Sequence, residues 1–502
     1  MGLSVFRGIS VMVSGRVAMI FAHVLITPLL VRALGGDFGN FTFIISVMTF
    51  TILFHGAMNT GLRKYISERR ATEGWQSQVF GFYVRVSTSI TVGVLALVVI
   101  AIESGFVARV LDPSFELYFY LMAGMILLRN FMMLGQATLE GSGKEHISET
   151  LNVAHRIGFG VVAIGLSIAG FGLFGVLLGD IIVTFVVVTL FMLFARRYVS
   201  FASVVTLPPE SFPRREVSRF NGQSLLLSVL ILSLYHVDIL MLRLLTGSEV
   251  TGHYKAALLV AEFLWVAPIA IQNALVHTTS ELWSLEEHER IQGIAAFLTR
   301  YTTVGTTFIV VLLVPLAGPF VTMYFGADYA PAALPLLILL PGALGFAIAK
   351  PLLGIGRGKG DIHVLIHGTA VAAGLNVLLN FLLIPRYGMY GAAVATSVGY
   401  GTMVLAHVWG ATRMGFNPVS DMRLGRLFVA SGLTLAVILP LSAMLPTDAL
   451  RLVLIPVVGV LVFWPVAITT GLIDRAELTR LGERFAAFIP RSVVVRWQAL
   501  FG

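Results

Sequence analysis

The sequence predicts an all-α polytopic membrane protein of about 14 transmembrane helices: two pseudo-symmetric six-helix lobes plus two extra C-terminal helices. Three observations predict it. Of 502 residues, 57% are hydrophobic and only 12% charged, where an ordinary soluble domain carries about 25% charged. The apolar residues come in blocks of roughly 20, the length that crosses a hydrocarbon core. These blocks are apolar on most sides, unlike the one-sided stripe of a soluble amphipathic helix. Finally, landmarks along the chain recur at a near-constant spacing.

The first block, 8–34, follows Met1-Gly2-Leu3-Ser4-Val5-Phe6-Arg7 without a small-residue cleavage site and reads as an uncleaved first span. It ends in the tight turn Leu34-Gly35-Gly36-Asp37 and is followed by spans at 38–62, 78–103, 116–140, 150–170 and 174–195. The next six run over 220–245, 252–280, 293–316, 331–354, 362–384 and 391–412, with Pro385-Arg386-Tyr387-Gly388 turning between the last two. Two more follow at 424–446 and 451–473.

The repeat sets the domain boundaries. Gly141-Ser142-Gly143-Lys144 matches Gly356-Arg357-Gly358-Lys359 at a separation of 215, and Gly172-Leu173-Phe174-Gly175 matches Gly388-Met389-Tyr390-Gly391 at 216. Arg32 before Gly35 matches Arg243 before Gly247, at 211. A six-span unit used twice in the same orientation accounts for all three. The expected division is an N-lobe over 1–197, a cytoplasmic linker over 198–219 and a C-lobe over 220–413. Spans thirteen and fourteen occupy 424–473, and a tail over 474–502 alternates arginines with apolar residues. That alternation fits a basic amphipathic helix on an anionic leaflet.

Basic residues orient the chain. With a cytoplasmic N-terminus, the inner loops gather Arg63, Lys64, Lys144, Arg196, Arg197, Arg214 and Arg215 among others, whereas the outer loops hold only Arg109, Arg386 and Arg451. Both termini are expected inside, in a cell inner membrane. With no cysteine, disulfides, Fe–S clusters and Cys-based zinc sites are excluded.

Several motifs do not carry the chemistry they spell. Gly170-Phe171-Gly172-Leu173-Phe174-Gly175 has the GxGxxG pattern but lies between two spans rather than in a βαβ unit. Gly141-Ser142-Gly143-Lys144 lacks the upstream glycine of a phosphate loop. His363 and His367 are one turn apart without accompanying carboxylates, so no metal site is expected. No outer loop exceeds about 15 residues, which leaves little room for an extramembrane catalytic domain. Neither a bound cofactor nor a nucleic-acid partner is expected, and the chain does not read as an enzyme.

Charges within spans are costly and point to a bundle interior or a wet cavity. Arg32, Arg85, Arg300 and Lys350 lie near span ends and are expected to snorkel. Arg16, Arg129 and Arg156 lie deeper and, with His23, Arg243 and Lys255, form the candidate cavity set. The acids are Asp238, Glu262 and, near an outer end, Asp180; the first two are candidates to couple transport to an ion or to pair as struts. Asn376 and Asn380 share a face of span eleven and suit helix–helix hydrogen bonding. Positive charge exceeds negative within the spans, which suits a phosphate or pyrophosphate head group matched to arginine's bidentate fork.

Three segments carry a family resemblance. Ile26-Thr27-Pro28-Leu29-Leu30-Val31-Arg32-Ala33-Leu34-Gly35 with Phe38-Gly39-Asn40-Phe41 is similar to the first hairpin of the Wzx-like polysaccharide flippases of the multidrug/oligosaccharidyl-lipid/polysaccharide exporter superfamily. So are His236-Val237-Asp238-Ile239-Leu240-Met241-Leu242, continuing through Tyr254-Lys255, and the turn Pro385 to Ala393. The resemblance covers spans one to twelve. It implies two lobes about a central cavity and alternating access that carries an undecaprenyl-pyrophosphate-linked glycan to the outer leaflet, with H+ or Na+ coupling. On that resemblance Arg16, His23 and Asp238 are the foremost candidates. Expected partners are the lipid-linked oligosaccharide, membrane lipids, and a polysaccharide polymerase or other biosynthesis proteins. Fourteen spans also resemble the lipid II flippase branch, and a cation-coupled drug or metabolite antiporter of the same superfamily is the other transporter reading. A membrane glycosyltransferase or polymerase fits less well.

Overall fold

The computed structural model describes residues 19, 21–68, 74–209 and 212–474. Arg16 and the tail beyond Asp474 lie outside the described residues, as do Arg69 and Arg70.

Every regular element among the described residues is helical. The first half contains α1 (21–34), α2 (Phe38–Thr51), α3 (Leu53–Ser67), α4 (Trp75–Glu103), the short α5 (Phe106–Val110), α6 (Ser114–Gly141), α7 (Glu145–Leu166) and α8 (Gly172–Ala195). After the connection come α9 (Arg214–Thr246), α10 (Ser248–Glu262), α11 (Val266–Ser284), α12 (His288–Phe325), α13 (Ala333–Lys359) and α14 (Ile362–Arg413). The chain then continues through α15 (Leu424–Met444) and α16 (Asp448–Thr469). The 28 residues of α6 give a rise of about 42 Å, enough for a core about 30 Å thick.

Eleven continuous helical stretches among the described residues are long and apolar enough to cross a bilayer. Three of them, Phe21–Thr51, Glu145–Ala195 and Ile362–Arg413, are interrupted by positive-φ glycines and hold two spans each, which gives the fourteen expected. The interruptions preserve the internal repeat in the backbone itself. Gly172 has φ 51° and ψ −135°, and Gly388 has φ 54° and ψ −131°. Side chains rarely enter that region, so glycine is required at both turns.

Outward-facing side chains are those of a lipid-solvated surface. Leu97 is 68% exposed, Val161 69% and Leu405 71%; in water such exposure over many helices would drive aggregation, whereas in hydrocarbon it costs little.

The chain forms two compact units. The first comprises Met1–Leu259, Tyr324–Leu339 and Leu365–Tyr400. In it α3, α4 and α6 pack mutually and α3 also packs on α9, around Leu62, Tyr65, Trp75, Phe80, Tyr83 and Leu134. The second comprises Val260–Met323, Leu340–Val364 and Gly401–Gly502. Its core has one cluster around Leu275, Ile291, Ile355 and Phe416, and another where Val304, Leu427, Phe463 and Leu472 join α12, α15 and α16.

Candidate functional site

A fully buried polar cluster in the first unit centres on Asp238 of α9, which is 0% exposed. An aspartate can stand there because three donors converge on its carboxylate. The Ile239 backbone N–H reaches Oδ1 at 2.8 Å, the Thr396 hydroxyl reaches Oδ2 at 3.0 Å, and the Tyr254 hydroxyl from α10 donates to Oδ2. The Asn376 side-chain amide donates to Thr396 Oγ1 at 3.3 Å, and that of Asn380 to Asn376 Oδ1 at 3.1 Å. All five side chains are fully buried, and Asn380 Oδ1 is a buried oxygen without a hydrogen-bond partner.

An ionised carboxylate so buried is costly unless a cation neutralises it. The oxygens of Asp238, Thr396, Asn376 and Asn380 form a hard donor set carrying one formal negative charge, suited to a proton or a small monovalent cation. Among the described residues there is no group of three or more His, Cys, Asp or Glu side chains placed to hold a metal.

Cationic side chains stand in the same unit. Arg156 of α7 donates to His23 Nδ1 of α1, and both are half-buried. Lys255 of α10 lies within electrostatic reach of His23, His236 and Asp238. The acid in electrostatic reach of Arg156 is Asp180, and the acid in reach of Lys255 is Asp238.

Other expected site residues have different surroundings. Arg129 does not stand alone toward a cavity: its Nη2 bonds Asp180 Oδ1 at 2.7 Å, and Asp180 is 3% exposed. His155 beside them bonds Thr184 at 2.9 Å. Two apolar helices hold this acid and base together because each neutralises the other.

Arg243 is also committed to a structural contact. Its Nε bonds Asn40 Oδ1 at 2.5 Å, and its guanidinium lies 4.9 Å from the centre of the Phe115 ring. The Asn40 N–H reaches Ser248 Oγ at 2.9 Å, and the Ser248 hydroxyl donates to the Gly36 carbonyl at 2.6 Å. This contact joins the first hairpin to its repeat-mate, and the approach is close enough that a Cβ on Gly39 would lie 1.8 Å from the Ser248 carbonyl oxygen.

Glu262, the second coupling candidate, belongs to the second unit, half-buried at the end of α10 and in electrostatic reach of Lys350. Lys350 itself does not snorkel: it is 5% exposed, and its ammonium lies 4.0 Å from the Phe346 ring centre and 5.3 Å from that of Trp265. Arg300 is 1% exposed and pairs with Asp421. Arg85 caps a helical turn by donating to the carbonyls of Ser203, Val204 and Thr206 at 2.7, 2.9 and 2.5 Å. Arg85 and Arg300 thus reach partners in the connections at their span ends, and Lys350 is held by aromatic faces.

Tyr254 and Thr396 carry no sequence signal of their own. The repeat supplies one for Thr396, which lies 216 positions after the buried Asp180, the same offset as Gly388 from Gly172.

No family model matches the chain. An uncharacterized membrane protein of Methanocaldococcus jannaschii, MJ1068, is 27% identical over 186 residues, which is 36% of this chain and 35% of that protein. The match thus spans about a third of the relative's length. Among solved structures, the lipid II flippase MurJ in an inward closed conformation is similar with a TM-score of 0.74 at 14% identity, covering 91% of this chain and 98% of that one. An inward-facing multidrug resistance MATE family transporter of the MOP superfamily has a TM-score of 0.61 at 16% identity, covering 78% and 94%. The Vibrio cholerae MATE transporter VcmN, in its bent form, has a TM-score of 0.56 at 13% identity, covering 83% and 98%. The chain is a multi-pass membrane protein with the fold shared by these flippase and transporter structures.

Proposed function

We propose that the protein is a flippase that moves a lipid-linked oligosaccharide, carried on a polyprenyl pyrophosphate, from the cytoplasmic to the outer leaflet by alternating access, coupled to H+ or Na+. One observation carries the reading. In a single unit, Arg156 is hydrogen-bonded to His23, and Lys255 is in electrostatic reach of both His23 and the buried carboxylate of Asp238. An anionic head group would lower the local positive potential around Lys255, and a cation at Asp238 would raise it. Occupancy of each place thereby alters the affinity of the other, the reciprocity that ion coupling requires.

On this reading the lobes are 1–197 and 220–413, the connection 198–219 is cytoplasmic, and 424–473 adds a helix pair. The protein sits in the cell inner membrane with both termini inside, alongside glycan polymerase and biosynthesis partners. Lipid II is a cargo of the same chemical class, and the coverage of the MurJ-like fold favours it as the second reading. A cation-coupled drug antiporter is the alternative within the same fold.

The test is transport in proteoliposomes. Glycosidase access to a polyprenyl-pyrophosphate disaccharide should require the protein, while ethidium efflux should stay at the level of empty vesicles. Ethidium transport without glycan movement selects the antiporter.

A further inference from the structure

The connection from α8 to α9 is bound along the start of α4. Phe201 stacks on Phe80 with ring centres 5.4 Å apart, Phe212 stacks on Trp75 at 5.5 Å, and the Ser200 N–H donates to Ser77 Oγ at 2.9 Å. Gly81 admits the backbone, since a Cβ there would lie 2.1 Å from the Ser203 carbonyl oxygen. Bound in this way, the connection presents Val205 and Leu207, 87% and 80% exposed, next to the carbonyls that Arg85 holds.

Two arginines meet here without an acid. The bonds from Arg85 to the Ser203, Val204 and Thr206 carbonyls all use Nη1, so its Nε–Nη2 edge makes no hydrogen bond. Arg214 of α9 is exposed, donates through Nη2 to the Pro208 carbonyl at 3.3 Å, and lies in electrostatic reach of Arg85. Among the described residues no carboxylate pairs with either guanidinium. Like charges held close repel until an anion joins them. An unused guanidinium edge takes a phosphate through two N–H groups at once.

Depth selects the source of that phosphate. Arg85 lies 18 residues before Glu103, the exposed acid that ends α4, a rise of about 27 Å. Val92, Leu97 and Ile100, all exposed, lie between them. A hydrocarbon core about 30 Å thick covers that stretch and ends close to Arg85. Val205 and Leu207 therefore stand where acyl chains give way to head groups. A soluble anion would leave both apolar side chains uncovered, whereas a lipid covers them while its phosphate meets the arginines.

We propose that Arg85, Arg214, Val205 and Leu207 form a site for an anionic phospholipid of the leaflet at the Trp75 end of α4. The phosphate sits on the two guanidiniums and the upper acyl chain lies on Val205 and Leu207. The site does not depend on which cargo the protein moves.

The chain has no cysteine, so Thr206→Cys, at an exposed position, carries a single bimane fluorophore in the full-length protein. The labelled protein is reconstituted in phosphatidylcholine vesicles containing a minor fraction of phosphatidylglycerol, with one lipid or the other brominated on its acyl chains. Quenching per brominated lipid should favour phosphatidylglycerol, and Arg214→Gln should cut that preference about fivefold. A label on Leu97→Cys, in the middle of α4, should be quenched equally by both lipids. Equal quenching at position 206, quenching there by neither lipid, or a preference that survives Arg214→Gln would overturn the proposal. So would a preference abolished by inorganic phosphate but not by sodium chloride at the same ionic strength, which would assign the arginines to a soluble anion.

Discussion

Gly172 and Gly388 hold one backbone conformation, φ 51° and ψ −135° against φ 54° and ψ −131°, 216 positions apart. Each joins a pair of consecutive spans, α7 to α8 and the two halves of α14. At Gly388 the nearest atom to a built Cβ is Thr246 Cγ2 at 3.9 Å, and at Gly172 nothing lies within 4 Å. The requirement for glycine is therefore in the backbone and not in crowding.

Alanine at either position should lower stability by about 1–3 kcal/mol. Gly93→Ala in α4, where φ is ordinary and the space is open, should be neutral or stabilising by about 0.4–1 kcal/mol. Thermal unfolding of the three variants in one detergent checks this. Equal midpoints for all three would contradict the strain argument.

Arg129 and Asp180 should behave as a pair. Arg129→Ala leaves an acid that is 3% exposed without its base, at a cost of about 3 kcal/mol. The double variant Arg129→Met, Asp180→Leu should recover most of that loss. A double-mutant cycle on unfolding gives the coupling energy, and additive losses would show the pair to be independent.

Asp238→Asn should keep the hydrogen-bonded cluster and remove its charge. The variant should fold, and any transport it retains should no longer respond to a sodium or proton gradient. Unchanged gradient dependence reduces Asp238 to a structural group.

At the end of α16 the Arg423 guanidinium holds the Asp474 carboxyl below the usual carboxylate range through hydrogen bonds of 2.9 and 2.8 Å. For a carboxyl lowered by folding, the stabilisation is complete above its unfolded value of about 3.9 and disappears as pH falls through the lower folded value. The segment should be indifferent to pH between about 5 and 8 and loosen only below about 4. The chain has no cysteine, so a spin label on Ser420→Cys reports this region alone. Its mobility should rise only in acid, and Arg423→Gln should raise it at every pH. A change centred between 5 and 8 would assign the contact to another group.

The fold was legible because hydrocarbon imposes one requirement on every span, a run of apolar residues closing its own backbone hydrogen bonds. The repeat was legible because a Gly-only conformation leaves glycine in the sequence twice. Partners were not. Arg129 looked deep enough for a cavity, but its neutralising acid is 51 positions away on another helix, and no spacing rule links the two. Arg243 was read as a repeat landmark and a cavity residue, and its bond to Asn40 depends on two hairpins meeting, which no spacing announces. Lys350 looked like a snorkelling residue from its position near a span end, but aromatic faces hold it; Arg300, placed likewise, reaches Asp421 in the connection before α15. Asp238 stood out as an acid in an apolar run, whereas Tyr254 and Thr396 are polar residue types common in any membrane span.

The most direct measurement is the leaflet exposure of a fluorescent polyprenyl-pyrophosphate disaccharide in sealed vesicles, read by a quencher that cannot cross the bilayer. With the wild-type chain reconstituted under a cation gradient, the account predicts that the whole lipid pool is quenched. Quenching that stops once the outward leaflet is consumed, as in protein-free vesicles, would contradict it.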